Sequence, residues 1–427
     1  MRTRTRLIAV PMLAMLSMIP VPASATKSSA IVRINVSSNG EQANATSGDA
    51  AVSADGRYIA FSSEASNLVP GDTNGTSDVF LRDRRTGQTS RISVSGTDNQ
   101  TNSYSYGPSI SADGSYVTFY SAASNLVPGD TNDASDVFLR DLRARTTERI
   151  SESSTGNQGN SGSYWAEISP RGRHVAFTSA ASNLVPGDTN GVADVFVRDL
   201  LTRSVQRISV SSANEQGDGE SLQPSVSSDG RYVVFTTYAT NLVPGDSNNA
   251  SDVVVRDRRT ATTTLVSVSN DGQQASLWSR EPKISADGRY IVFTSEAPNL
   301  IPGDSNRADD IFLRDQRTGV LGQVTHSYSF SGQPSISADG RFTAFTSFGG
   351  DIVPGDANST FDVFLYDRRS GATGRISSSY IDPETNGISA LPVISADGRL
   401  VLFYSEASNL VPSDSNNLSD LFLWGRK

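Results

Sequence analysis

The chain repeats itself seven times, and this periodicity constrains its fold more than any other property of its 427 residues. The tripeptide Ala-Asp-Gly places its acid at Asp55, Asp113, Asp287, Asp339 and Asp397, and Ser228-Asp229-Gly230 and Pro170-Arg171-Gly172 fill the two remaining positions. From marker to marker the intervals are 58, 58, 58, 58, 52 and 58 residues. A second string, Asn-Leu-Val-Pro-Gly-Asp or a near variant, ends at Asp72, Asp130, Asp188, Asp246, Asp304, Asp356 and Asp414 with the same intervals. Two markers in step define a module that must bury its apolar residues against its neighbours. The short interval puts a six-residue deletion between Asp310 and Pro334, in a connecting loop.

Each unit holds four strand-like pieces separated by turn signals; in the first they are Ala50 to Ser53, Arg57 to Ser62, Asp78 to Arg82 and Ser90 to Ser95. Tyr58-Ile59-Ala60-Phe61 and Val79-Phe80-Leu81 are continuous apolar runs, as expected of strands covered on both faces. Arg91 to Ser95 alternates, which suits a half-exposed outer strand, and the short Ser-rich first piece suits an inner strand beside a narrow axis. The expected fold is all-β: a seven-bladed β-propeller of four-stranded antiparallel blades. The seventh unit stops after its third strand (Asp420 to Trp424), whereas Ile31 to Val36 reads like a fourth strand. The N-terminal strand is therefore expected to complete the last blade, which removes an exposed sheet edge.

The run Ile110-Ser111-Ala112-Asp113-Gly114, followed by Tyr116-Val117-Thr118-Phe119 and Asp136-Val137-Phe138-Leu139-Arg140-Asp141, resembles the TolB-type, WD40-like (PD40) propeller repeat. The resemblance extends over residues 31 to 427. It implies a propeller, and such propellers serve as partner-binding modules, as gating domains of peptidases and occasionally as enzymes. With the repeats filling the chain, neither a peptidase domain nor the additional N-terminal domain of TolB is expected, so TolB's role in an outer-membrane complex is not carried over.

Residues 1 to 25 have a basic start (Arg2, Arg4, Arg6), an apolar run from Leu7 to Val21 and small residues at Ala23-Ser24-Ala25, the pattern of a secretory signal peptide cleaved near Ala25. The mature domain, 26–427, is expected to be exported, extracellular or periplasmic, without a membrane span, and a monomer. It carries 33 basic against 45 acidic groups, and this acidic balance argues against nucleic-acid partners. The chain has no Cys, which excludes disulfides and thiolate chemistry.

In a four-stranded meander the first-to-second and third-to-fourth connections share one end of the blade; here both are short. The long second-to-third and fourth-to-first loops share the other end, where binding is expected. Every second-to-third loop ends in Asp-x-Asn, three residues and a further Asp: Asp72, Asn74, Asp78; Asp130, Asn132, Asp136; Asp188, Asn190, Asp194; Asp246, Asn248, Asp252; Asp304, Asn306, Asp310; Asp356, Asn358, Asp362; and Asp414, Asn416, Asp420. Closely spaced oxygen donors are what Ca²⁺ uses, and they equally cap turns through side-chain to backbone hydrogen bonds. No cofactor is required by either reading. The fourth-to-first loops carry Tyr104, Tyr106, Tyr164, Trp165, Trp278, Tyr328 and Phe330, suited to protein recognition or sugar stacking if exposed and to plugging the grooves between blades if not.

Only His174 and His326 are present, neither beside a repeated nucleophile, and no Gly-x-Ser-x-Gly elbow or His-rich metal cluster occurs. The sequence therefore leads to the expectation of no enzyme and no catalytic residues. The expected function is a secreted, non-catalytic protein-binding or scaffold module acting through its long-loop face on a protein or peptide. The alternative is a propeller that binds an extracellular glycan or acts on polysaccharides as a lyase or glycosidase. The repeated Arg82-Asp83, Arg140-Asp141, Arg198-Asp199, Arg256-Asp257 and Arg314-Asp315 pairs read as ties between blades or as rim ion pairs.

Overall fold

The computed structural model describes residues 31–379 and 384–426. Twenty-eight strands form seven four-stranded antiparallel sheets. In blade 1 the strands, from the axis outward, are Ser47–Val52, Tyr58–Ser63, Asp78–Asp83 and Gln88–Arg91. The expected closure is present: Ile31–Arg33 forms the outer strand of blade 7, with Ile31 opposite Trp424 and Arg33 opposite Phe422. The expected leader, 1–25, lies outside the described residues. Among the described residues no helix is long and apolar enough to cross a membrane.

The outer strand of blade 1 ends at Arg91, four residues earlier than its alternating pattern predicts. Side chains take over from the ladder there: Ser93 Oγ donates to Asp78 Oδ1 at 2.5 Å and accepts from the Val79 amide at 3.0 Å. The core lies between blades. Ala60, Val79, Leu81 and Ile92 of blade 1 pack with Ile110, Val117, Phe119 and Phe138 of blade 2. Phe61 and Phe80 face each other across the two middle strands with ring centroids 5.7 Å apart, both fully buried, a placement that stabilises by ~1.5–3 kcal/mol per ring.

The blades are keyed together at a glycine. The first residue of each second strand lies beneath the Ala-Asp-Gly turn of the next blade, so that Tyr58 meets Gly114, His174 meets Gly230, and Leu400 of blade 7 meets Gly56 of blade 1. A Cβ at Gly230 would collide with the His174 ring, and the φ of +71° there disfavours other residues independently. His174 is thus a packing residue, its pKa lowered first by burial and then by Arg258.

The repeated Arg-Asp pairs separate in the fold. Arg82 reaches the Ser37 carbonyl at 3.1 Å and Arg256 the Ser211 carbonyl at 2.9 Å, each on the chain of the preceding blade. The adjoining acids turn back within their own blade, Asp83 to Arg57 at 2.7 Å and Asp257 to Arg231 at 2.6 Å.

Candidate functional site

Each inner strand is interrupted by a bulge, which shifts the register between Tyr106 and Ser109 in blade 2 and at the matching place elsewhere. Pro108, Pro224, Pro282, Pro334 and Pro392 follow the bulge residue and supply a reason for it, since proline has no amide to give the ladder. The residues released are Asp49, Gly107, Trp165, Gln223, Glu281, Gln333 and Leu391, the last six with positive φ. They hand hydrogen bonds around the axis: Glu281 Oε2 accepts from the Gln333 amide at 2.8 Å, and Gln333 Oε1 from the Leu391 amide at 3.1 Å. Two residues further on, Lys283 of blade 5 pairs with Glu167 of blade 3 at 2.9 Å, a contact between non-adjacent blades that only the axis permits. Asp49 is solvent-accessible, yet the surrounding protein displaces bulk water, so desolvation raises its pKa while the Gly107 amide opposes the rise.

On the long-loop face the rim of this channel is aromatic. Tyr104, Tyr106, Tyr120, Tyr164 and Trp165 form one continuous stripe across blades 2 and 3, successive centroids lying 5.7, 6.2, 5.6 and 6.4 Å apart. Tyr106 and Tyr120 are half-buried and wedge the stripe, whereas Tyr104 is 38% and Trp165 48% exposed. Tyr120 is pushed up to about 12 by burial and by the charge of Asp49, and Tyr106 is raised by burial with Glu64 and Asp49 nearby. A second patch centres on Phe361, with half-buried Phe330 at 5.6 Å and Phe348 at 5.2 Å. Trp278 and Tyr328 are exposed. Beside Trp278, Arg280 is tied to Glu296 at 3.2 Å and Asp309 at 2.6 Å, and burial pushes Asp309 up to about 6.

Tyr120, Phe348, Phe361 and Asp49 were not among the residues singled out from sequence. Their signal is a departure from the repeat: Tyr120 stands where five other blades have Ser62, Thr178, Thr236, Thr294 and Thr346, and Phe361 where most have Ser or Ala.

The Asp-x-Asn loops resolve differently from a set of seven cation sites. The cation position is filled by a guanidinium in five blades: Arg91 lies 3.3 Å from Asp72 and 3.4 Å from Asp78, and Arg33, Arg149, Arg207 and Arg375 bridge the equivalent pairs in blades 7, 2, 3 and 6. In blades 1, 2, 3 and 6 the arginine comes 13 residues after the second Asp, at the end of the outer strand and beyond the loop on which sequence reasoning concentrated, and in blade 7 it is Arg33 of the N-terminal strand. A glutamine closes the network: Gln100 Nε2 donates to Asp72 at 2.8 Å and to Asp78 at 3.2 Å. The asparagines cap as well as bridge, Asn132 Oδ1 accepting from the Ala134 amide at 3.1 Å while its Nδ2 donates to Asp136 at 3.2 Å. Asp356, Asp362 and Glu384, the one acidic trio close enough to share a metal among the described residues, converge on Arg375.

The opposite face has a cleft of about 620 Å³ between blades 1 and 2, but its charges are already matched. Arg57 pairs with Asp83, Arg140 and Arg145 with Asp98, and Arg143 with Asp113.

No family model and no curated relative matches this sequence. Similar solved structures include an oligogalacturonate lyase in complex with manganese (13% identity, 94% of each chain covered, TM-score 0.55) and the β-propeller domain of the Trilobed protease from Pyrococcus furiosus (11% identity, 89% of this chain and 95% of that one, TM-score 0.55). TolB from Acinetobacter baumannii aligns at 18% identity over 74% of this chain, which spans 62% of that protein, with a TM-score of 0.43. The likenesses to the lyase and to the protease domain agree with the propeller architecture; the finer PD40 label has no matching family model behind it. They also correct the expectation that the chain is not an enzyme. The same architecture carries a lyase and part of a protease at 11–13% identity, so a missing catalytic motif in the sequence does not decide the matter.

Proposed function

We propose that the protein is an exported recognition module that takes its ligand at the channel mouth on the long-loop face, and that this ligand is a protein or peptide segment bearing basic side chains. The observation that carries the reading is the Tyr104-to-Trp165 stripe lying against the carboxylates of Asp49 and Glu64. Aromatic faces beside carboxylates attract cations through the ring quadrupole and direct charge together, and rigid rings give contact area at little entropic cost. Export rests on the leader-like residues 1 to 25. A second reading, a glycan lying on the same surface, is favoured by Trp165, whose half-exposed ring is fixed by a backbone bulge at φ +50° and could serve as a stacking platform.

The test is a Trp165→Ala, Tyr104→Ala double variant of the mature protein, compared with the parent on arrays of basic peptides and of oligosaccharides, with product formation followed in parallel. Loss of peptide binding at unchanged melting temperature supports the first reading; loss of glycan binding supports the second. Equal binding by parent and variant on both arrays refutes the site.

A further inference from the structure

Blade 5 departs from its six counterparts at the carboxylate network. The residue that should bridge Asp304 and Asp310 is Gln323, not arginine. The glutamine that closes the network over both carboxylates in five other blades (Gln42, Gln100, Gln158, Gln216, Gln274) is also missing, because the six-residue deletion falls on its loop. Asp310 is nonetheless fully buried. Its Oδ1 accepts from Thr325 Oγ1 at 2.6 Å, but its Oδ2 is enclosed without a hydrogen-bond partner. Asn306 donates to the Ser327 carbonyl at 2.6 Å, as Asn132 and Asn248 donate to the equivalent carbonyls, and its amide and that of Gln323 both face the Asp310 carboxyl without closing a hydrogen bond on Oδ2. Blade 4 shows that losing the arginine alone does not strand the acid. Leu265 replaces it there, and Gln274 Nε2 holds Asp246 and Asp252 at 2.7 Å each.

A buried carboxylate oxygen with neither a counter-charge nor a hydrogen bond is costly, and among the described residues the other six blades avoid one at this position. The groups around Asp310 in blade 5 are Asp304 and the side-chain amides of Asn306 and Gln323, each carrying an oxygen, while His326, at the chain position of the missing glutamine, is exposed. Oxygen-only donors on a surface loop select a hard cation, and adaptable loop geometry suits Ca²⁺ better than Mg²⁺, which gives up its waters reluctantly.

We propose that blade 5 is a single calcium site built on Asp304 and Asp310 with the Gln323 side-chain oxygen, the ion taking the place that an arginine fills in five other blades. The proposal is independent of what binds at the channel mouth.

Mature protein stripped with EDTA is titrated with CaCl₂ to about 10 mM, above the 10⁻⁴–10⁻³ M range of extracellular calcium modules, with calorimetric heat, terbium luminescence and melting temperature as readouts. The expected result is one ion per chain and a melting temperature that rises with calcium. Gln323→Arg should abolish binding while melting at least as high as the stripped parent, and Asp304→Asn should abolish binding through a change that leaves the buried acid in place. No heat and no thermal shift in the parent overturns the site. So does undiminished binding in both variants, or a stoichiometry of several ions per chain.

Discussion

Closure of the ring by its own N-terminus has a single-residue test at Asn35. This side chain is fully buried and joins the two ends of the chain: its Nδ2 donates to Asp420 Oδ1 at 2.5 Å and to Ser47 Oγ at 3.0 Å, and its Oδ1 accepts from the Leu421 amide at 3.0 Å. Asn35→Ala deletes all three bonds. Asp420 retains Gln42 at 2.9 Å and Arg33 at 3.1 Å, so its carboxylate is weakened but not abandoned. The Leu421 amide is left buried without an acceptor, which costs ~1–3 kcal/mol, and the bond to Asp420 adds ~1 kcal/mol, about 3 kcal/mol in total. With an unfolding entropy of ~2.1 cal/mol/K per residue, a ring of this size melting as one unit loses about 1 °C for each ~0.8 kcal/mol, which predicts a fall of about 4 °C. Differential scanning calorimetry of the mature protein at neutral pH measures it. Val32→Ser, at an exposed position on the same strand, serves as the control and should change little. If Asn35→Ala melts together with its parent and the control, the N-terminal strand does not hold the ring shut.

Gly230→Ala and Gly187→Ala share a left-handed φ (+71° and +74°), but only the first meets a neighbour, His174, so Gly187→Ala should cost ~1–2 kcal/mol and Gly230→Ala ~1–3 kcal/mol more by chemical denaturation. Equal costs would remove the blade-keying role assigned to that contact. The Arg231 guanidinium, by hydrogen bonding, holds Asp257 at about 2, below its usual 3.8, so this pair's contribution is fully present above about pH 4 and is lost as pH falls through 2. Arg231→Gln should therefore lower the urea midpoint at pH 6 and lower it much less by pH 2, and a pH-independent difference would count against the pair. Gln274→Ala removes the amide that clamps Asp246 and Asp252 beside Leu265, where no arginine stands in, and is expected to cost ~1–3 kcal/mol by urea denaturation, an unchanged midpoint counting against the clamp.

The architecture was legible because repetition is a global signal. Two markers with common intervals fix the blade number, apolar runs such as Tyr58 to Phe61 fix the middle strands, and the missing fourth strand after Trp424 points to Ile31. The site was legible only in part. Trp165 and Tyr104 could be picked out as loop aromatics, but Tyr120 sits inside a second strand, where an aromatic looks like core, and reaches the rim only because the neighbouring inner strand bulges. The Asp-x-Asn loops were legible only in part for a related reason. Local spacing resembles a metal site, while the group that neutralises it, Arg91 in blade 1, arrives from another strand through the register of the sheet, with Arg91 opposite Phe80.

Repetition within one chain also supplies a control that a single-domain sequence lacks. Asp78 and its counterparts recur with partners of the same kind in blade after blade, which is what a packing requirement produces, since every blade must bury the same strand start. Where the partners change, packing alone does not explain the choice. In blade 4 the loss of arginine is offset by Gln274, so the network remains satisfied and nothing further is required of it. In blade 6, Glu384 replaces the glutamine, and Arg375 remains to absorb the added charge at 2.9 Å. Blade 5 alone loses both the arginine and the glutamine and keeps its buried acid. Asp310→Asn would fill the same volume without a charge, and the calcium proposed for blade 5 is what would give the acid a use there.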